Sequence, residues 1–164
     1  MRASPNGTPM NITDFVSPQY AIVGMRAANK AQLLHELARR AATALGLPAD
    51  QISDALLKRE ALGSTGTGGG IAIPHARLPG VSKPFGILVR LAKAIDFDAM
   101  DRRPVDIVCL LLLPTDSQGE QLKALACAAR ILREPDAIQN IRSAADGAAL
   151  YRAAGSLQSR PASE

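Results

Sequence analysis

Hydrophobic residues recur along this chain at two spacings, one close to a helical turn and one that alternates or runs continuously, and their succession predicts the elements. Residues 21–25 read as a short strand. Asn29 then offers an N-cap to a helix carrying Leu34, Leu37, Ala38, Ala41 and Leu45 on one face, which Gly46 and Pro48 end. A second helix is predicted over 49–62, with Ile52, Ala55 and Leu56 as its apolar stripe and Arg59 continuing that stripe. In 63–70 five of eight residues are glycine, so the backbone is free to take turns closed to other residues. Residues 71–73 follow as a short extended piece, because a residue before proline is pushed towards the β region, and His75 stands just past it.

Residues 79–84 form a turn region and 85–91 a strand, and 96–104 make a charged loop. The continuous apolar run at 105–113 suits a central strand covered on both faces. After a loop at 114–119, a helix is predicted to bring Leu122, Leu125, Ala126, Ala129 and Leu132 together, and 135–141 and 146–154 read as short helices. Strands alternating with helices predict a single α/β sandwich domain over 12–154, between a flexible N-terminal tail at 1–11 and a flexible C-terminal tail at 155–164.

Composition narrows the classes of function. A chain of 164 residues that is 47% hydrophobic is long enough for one continuous core. Cys109 and Cys127 both sit in apolar surroundings, which predicts buried free thiols and a reducing compartment. With His35 and His75 the only histidines, and no paired-cysteine or HExxH spacing, no metal site is expected. The N-terminus lacks the apolar stretch of a secretory signal and no apolar run reaches membrane-spanning length, so a cytoplasmic protein without membrane insertion is expected. The formal charge of +4 comes from scattered basic residues, and aromatics make up 3% of the chain, which argues against nucleic-acid binding.

The chemistry concentrates in 59–75. A glycine-rich loop first suggests a nucleotide cradle, but no lysine lies between Arg59 and His75, and Ile71 and Ile73 deny the third glycine of a dinucleotide fingerprint. What survives is a loop of backbone N–H donors near a histidine and an arginine, parts that suit a phosphoryl group. A neutral imidazole keeps one lone pair for attack on phosphorus, and phosphoryl transfer needs mainly in-line positioning and charge stabilisation, which Arg59 and loop amides can supply. Taken alone, a histidine after an Ile-Pro pair is a surface or structural residue in roughly four cases of five, and a stem laid over the core accounts for an arginine such as Arg59 in about one of three. His35 lies beside the apolar stripe of the first helix and reads as a boundary residue. Arg77, two residues beyond His75, points to the same side of an extended chain.

The longer pattern, R-E-x-x-G-S-T-G-x-G-x-G-I-A-I-P-H, resembles the signature around the phosphorylated histidine in the fructose/mannitol/nitrogen group of enzymes IIA of the phosphoenolpyruvate-dependent phosphotransferase system. Its S-T-G-x-G-x-G-I-A-I-P-H form is similar to the nitrogen-type branch, and the resemblance extends from Ile12 to Ala154. The resemblance implies the fructose/mannitol-type fold, a mixed β-sheet flanked by α-helices. It implies His75 as phosphoryl acceptor, Arg59 as the active-site arginine, and Ser64, Thr65, Gly66, Gly68 and Gly70 as the loop that shapes the phosphate site. The implied donor is the small histidine phosphocarrier protein, so neither nucleotide nor magnesium is required and no cofactor is expected. The family usually places a second histidine at the start of the helix after the buried strand; Gln121 stands there, an amide that can donate a hydrogen bond to phosphate but carries no charge.

Three functions follow. The first is regulation by reversible phosphorylation of His75, with targets such as kinases or transporters. The second is sugar transport with transfer to a IIB domain, and the third is a protein-binding module without phosphotransfer. The intact 59–75 motif ranks them in that order.

Overall fold

The computed structural model describes residues 10–116 and 118–156; the tail residues 1–9 and 157–164 lie outside it. The centre of the molecule is β6 (Val105–Leu113), the apolar run expected to be covered on both faces. Alternation of side chains along a strand divides it between two cores. Ile107, Cys109, Leu111 and Leu113 join one hydrophobic cluster, and Val108, Leu110 and Leu112 join the other. On one side lie α1 (Lys30–Leu45) and α2 (Ala49–Ala61); on the other lie α3 (Gln118–Ile131), α4 (Pro135–Ser143) and α5 (Gly147–Ser156).

The remaining strands are β1 (Val16–Met25), β2 (Gly66–Gly68), β3 (Ile71–Ala72), β4 (His75–Arg77) and β5 (Phe85–Ile95). The sheet is mixed, in the order β1-β5-β6-β3-β2, with β4 also paired to β6. β1 runs parallel to β5, β5 antiparallel to β6, and β3 and β4 both parallel to β6. β3 and β4 keep one register along β6, Ala72 opposite Val108 and His75 opposite Leu111, so they are one strand interrupted at Ile73-Pro74. That interruption follows from proline, which has no N–H to give to the ladder.

Several elements depart from the sequence pattern for identifiable reasons. β1 begins at Val16, well before residue 21, because its first half is an edge segment with a register shift and the exposed residues Ser17, Pro18 and Gln19. β5 runs on to Ile95. The buried face of α3 is Gln121, Ala124, Cys127, Ala128 and Ile131, and Leu122, expected in the core, is 69% exposed. This alanine-rich helix carries two adjacent apolar stripes, and packing against Ile107 and Leu111 selects the one with Cys127 and Ile131. Asn11 and Gly155, expected in the tails, meet each other: Asn11 caps a short 3-10 turn at Ile12–Asp14, and its Nδ2 donates to the Gly155 carbonyl at 3.3 Å.

Both cysteines are free and buried, and burial pushes the Cys109 thiol up to about 12 and the Cys127 thiol up to about 11. Among the described residues no helix is long and apolar enough to cross a membrane.

Candidate functional site

The end of α2, the turn that follows it and the start of β4 converge on His75. The polypeptide leaves α2 through hydrogen bonds from Leu62 N to the Arg59 carbonyl and from Gly63 N to the Glu60 carbonyl, both at 3.1 Å. Arg59, half-buried, reaches across this turn and donates from Nη1 to the Gly63 carbonyl at 2.9 Å. The chain then meets the strand leading to His75, where Ile73 N donates to the Thr65 carbonyl at 3.0 Å. Each of these bonds is local or spans a hairpin, which is why a short motif suffices to build the turn.

His75 is half-buried, and its Nδ1 lies 2.8 Å from the Ile73 carbonyl oxygen. A carbonyl can only accept, so Nδ1 carries the hydrogen and the neutral ring keeps its lone pair on Nε2. Burial, the largest influence, holds the ring below the usual histidine value; the Ile73 carbonyl opposes it, the Arg59 cation adds to it and the Glu60 carboxylate opposes it. The outcome is a neutral imidazole with a defined tautomer.

Glu60 is the site residue that the sequence reading misses, although a signal is present: Ile52, Leu56 and Glu60 recur every fourth residue and share the buried face of α2. The stripe therefore continues through Glu60, while Arg59 sits at its edge. At 7% exposure the Glu60 carboxylate is fully engaged. It accepts from Thr65 N at 2.9 Å and Thr65 Oγ1 at 2.7 Å, and Lys30 Nζ lies 3.2 Å from Oε2.

The loop residues named from the sequence divide into two groups. Ser64 and Thr65 belong to the turn near His75, with Ser64 Oγ donating to the Phe97 carbonyl at 2.6 Å and accepting from Gly66 N at 3.0 Å. Gly66 is held against Ala99, whose Cβ would lie 2.8 Å from any Cβ added there. Gly68 and Gly70 instead flank the tip of the β2–β3 hairpin. Gly69 N donates to Asp101 there at 2.9 Å, and Arg142 bridges the Gly69 carbonyl and Asp106. Gly70 precedes the Ile71–Ile107 pair and so sits at the level of Asp106 on β6, while His75 sits at that of Leu111. Five strand residues separate those levels, about 16 Å. The structure thus does not bring Gly68 or Gly70 beside His75.

Gly70 has φ +84 and an added Cβ would run into Arg142 and Asp106. Gly70→Ala is expected to cost about 1–3 kcal/mol in urea unfolding, from backbone strain and the displaced ion pair. A folded sample should keep its chemistry at His75; loss of that chemistry at full stability would place Gly70 in the site after all.

Gln121, in the first turn of α3, is buried, and its Nε2 donates to the Pro114 carbonyl just past β6. Alternation and register put His75 and Arg77 on the face of Leu111 and Leu113, the side covered by α3. Arg77 is exposed, and His35 is exposed on α1. Among the described residues no three His, Cys, Asp or Glu side chains group as metal ligands.

The arrangement at the end of α2 is thus a half-buried imidazole whose Nδ1 is held by the Ile73 carbonyl, beside a turn braced by the Arg59 guanidinium. The family model "Phosphoenolpyruvate-dependent sugar phosphotransferase system, EIIA 2" matches residues 14–154. A nitrogen regulatory protein of Bradyrhizobium diazoefficiens is 44% identical over 142 residues, covering 87% of this chain and 93% of that protein. The crystal structure of nitrogen regulatory protein IIA-Ntr from Neisseria meningitidis superposes with a TM-score of 0.77 at 30% identity, covering 83% of this chain and 93% of that one. The fold is also that of the mannitol IIA of Escherichia coli in its complex with phosphorylated IIB, with a TM-score of 0.67 at 15% identity over 80% of this chain and 92% of that one. The chain therefore belongs to the EIIA 2 family of the phosphoenolpyruvate-dependent sugar phosphotransferase system, as a IIA component similar to its nitrogen regulatory proteins.

Proposed function

We propose that this chain is a regulatory phosphocarrier that accepts a phosphoryl group on Nε2 of His75 from a histidine phosphocarrier protein, and that its phosphorylation state controls the proteins it contacts. The observation that carries this reading is the 2.8 Å contact between Nδ1 and the Ile73 carbonyl, which leaves the lone pair on Nε2.

In the transfer, the Nε2 electron pair forms the new N–P bond. The donor's N–P bond breaks, and its electron pair returns to the donor ring nitrogen. The His75 hydrogen stays at Nδ1 against the Ile73 carbonyl, so a donor phosphohistidine protonated on its other ring nitrogen leaves as neutral imidazole. The Arg59 guanidinium and the turn amides meet the equatorial oxygens. The bound group adds up to about two negative charges beside Arg59 and Arg77, which changes the surface that a target such as a kinase or transporter meets. Transfer to a IIB domain is the competing reading, and it rests on fold likeness to the mannitol protein.

The test is intact-mass spectrometry after incubation with phosphoenolpyruvate, enzyme I and the histidine phosphocarrier. An acid-labile gain of one phosphoryl group is expected; no gain with donors proven competent on another IIA protein would overturn the reading. The rate has a defined pH dependence. Only the neutral ring attacks, and the folded-state pKa is held below the usual histidine value, so the fall in acceptance on acidification is centred at a lower pH than for a free imidazole. In the same window the unfolded chain binds the proton more readily than the folded one, so this ring's contribution to stability is lost as pH falls through its folded-state pKa.

A further inference from the structure

The Glu60 carboxylate lies at the junction of three parts that nothing in the phosphoryl-acceptor reading requires to be joined. From the core side Lys30 approaches it, with Nζ 3.2 Å from Oε2, and the same ammonium lies 3.2 Å from Asp98 and over the Phe97 ring at 5.2 Å. From the loop side Thr65 gives it both its N–H and its hydroxyl. Thr65 in turn holds Ile73 N through its own carbonyl, and the Ile73 carbonyl is the group that fixes the His75 tautomer. A continuous chain of hydrogen bonds thus runs from Lys30 through Glu60, Thr65 and Ile73 to the imidazole.

A buried carboxylate is a costly way to anchor a turn, and an apolar residue on the α2 stripe would pack there without that cost. What the carboxylate adds is direction and charge. Its two oxygens receive two donors of one residue, which fixes the orientation of the Thr65 peptide, and its negative charge is felt at the imidazole. When Nε2 bonds to phosphorus while Nδ1 keeps its hydrogen, the ring gains a formal positive charge. Arg59 offsets charge on the phosphoryl oxygens but works against a positive charge on the ring. The Glu60 carboxylate, whose charge acts on the ring in the opposite sense to Arg59, balances it.

We propose that Glu60 is a positioning residue of the transfer reaction: held by Lys30, it orients the Thr65–Ile73 hairpin that sets the His75 tautomer, and it supplies the negative charge that offsets the cationic ring of the phosphorylated state. The proposal rests on His75 being the phosphoryl acceptor.

The test compares wild type, Glu60→Gln and Thr65→Val in single-turnover transfer from the phosphorylated histidine phosphocarrier, alongside an NMR titration of the His75 ring in the unphosphorylated proteins. Wild-type transfer is measured first, and its absence would sink the acceptor reading rather than this one. Glu60→Gln keeps the shape and the acceptor oxygen but removes the charge. Transfer is expected to slow by roughly 10- to 100-fold, with the His75 titration midpoint moved downward because an opposing charge is gone. Thr65→Val keeps the charge and removes one donor; transfer slows while the midpoint stays close to wild type. A merely structural role would move melting temperature without this split between rate and titration. Wild-type transfer in either folded variant, or an unmoved midpoint in Glu60→Gln, overturns the proposal. If Glu60→Gln does not fold, Thr65→Val alone decides it by the same rate criterion.

Discussion

His75→Ala is expected to abolish phosphoryl acceptance from the histidine phosphocarrier completely, with no residual acid-labile mass gain, while unfolding in urea within about 1 kcal/mol of wild type. The all-or-none outcome follows from the chemistry available elsewhere in the fold. The other histidine, His35, stands on the exposed side of α1, in a groove with Arg26, Arg39 and Arg40, away from the turn that holds Arg59. Both thiols are buried and held protonated. Ser64 spends its hydroxyl hydrogen on the Phe97 carbonyl, and Thr65 gives its own to a Glu60 carboxylate that is already held by Thr65 N and Lys30. The small effect on stability follows because the imidazole anchors itself by its bond to the Ile73 carbonyl, at a position only half-buried. A variant that still gained an acid-labile phosphoryl group would move the acceptor to another residue.

Arg59→Ala is expected to slow the same transfer by roughly 10²–10³-fold, the usual consequence of removing one preorganised donor from developing charge. Arg59 is already oriented, since Nη1 is spent on the Gly63 carbonyl at 2.9 Å and the rest of the planar fork is fixed by that bond. Orientation of this kind is specific to a guanidinium. Arg59→Lys should therefore recover only part of the rate, because a single ammonium cannot hold the turn and face phosphate together. Two effects compete in Arg59→Ala: the cation depresses the His75 pKa, so its removal raises that pKa and reduces the neutral fraction near neutral pH. Measuring transfer at pH 8, where the ring is neutral in either protein, isolates the loss of phosphoryl stabilisation. A rate at pH 8 equal to wild type would assign Arg59 to the turn rather than to the reaction.

The part of the site that is legible in the sequence is the part built from neighbours. Arg59, Ser64, Thr65 and His75 lie within one short segment, and the bonds that shape it join residues close in number or opposed across one hairpin. The role of Gly68 and Gly70 is not legible, because glycine content reports conformational need and not what approaches. Arg142 and Asp106, far along the chain, approach Gly70. Gln121 is legible as a substitution in a motif, but its burial against the Pro114 carbonyl depends on how α3 rotates over the sheet. Glu60 can be read from its four-residue spacing to Leu56 and Ile52, yet its partner Lys30 lies on another helix.

By itself the sequence determined the alternation of helix and strand, the buried central strand at 105–113 and the contiguous segment proposed to carry the chemistry, since each follows from local periodicity, proline and glycine geometry and a contiguous motif. Only the tertiary structure decided the mixed strand order, the face that α3 buries and the route from Lys30 through Glu60 to His75. Those depend on contacts between residues distant in the chain, where several pairings satisfy the same hydrophobic pattern and packing of the whole core selects one.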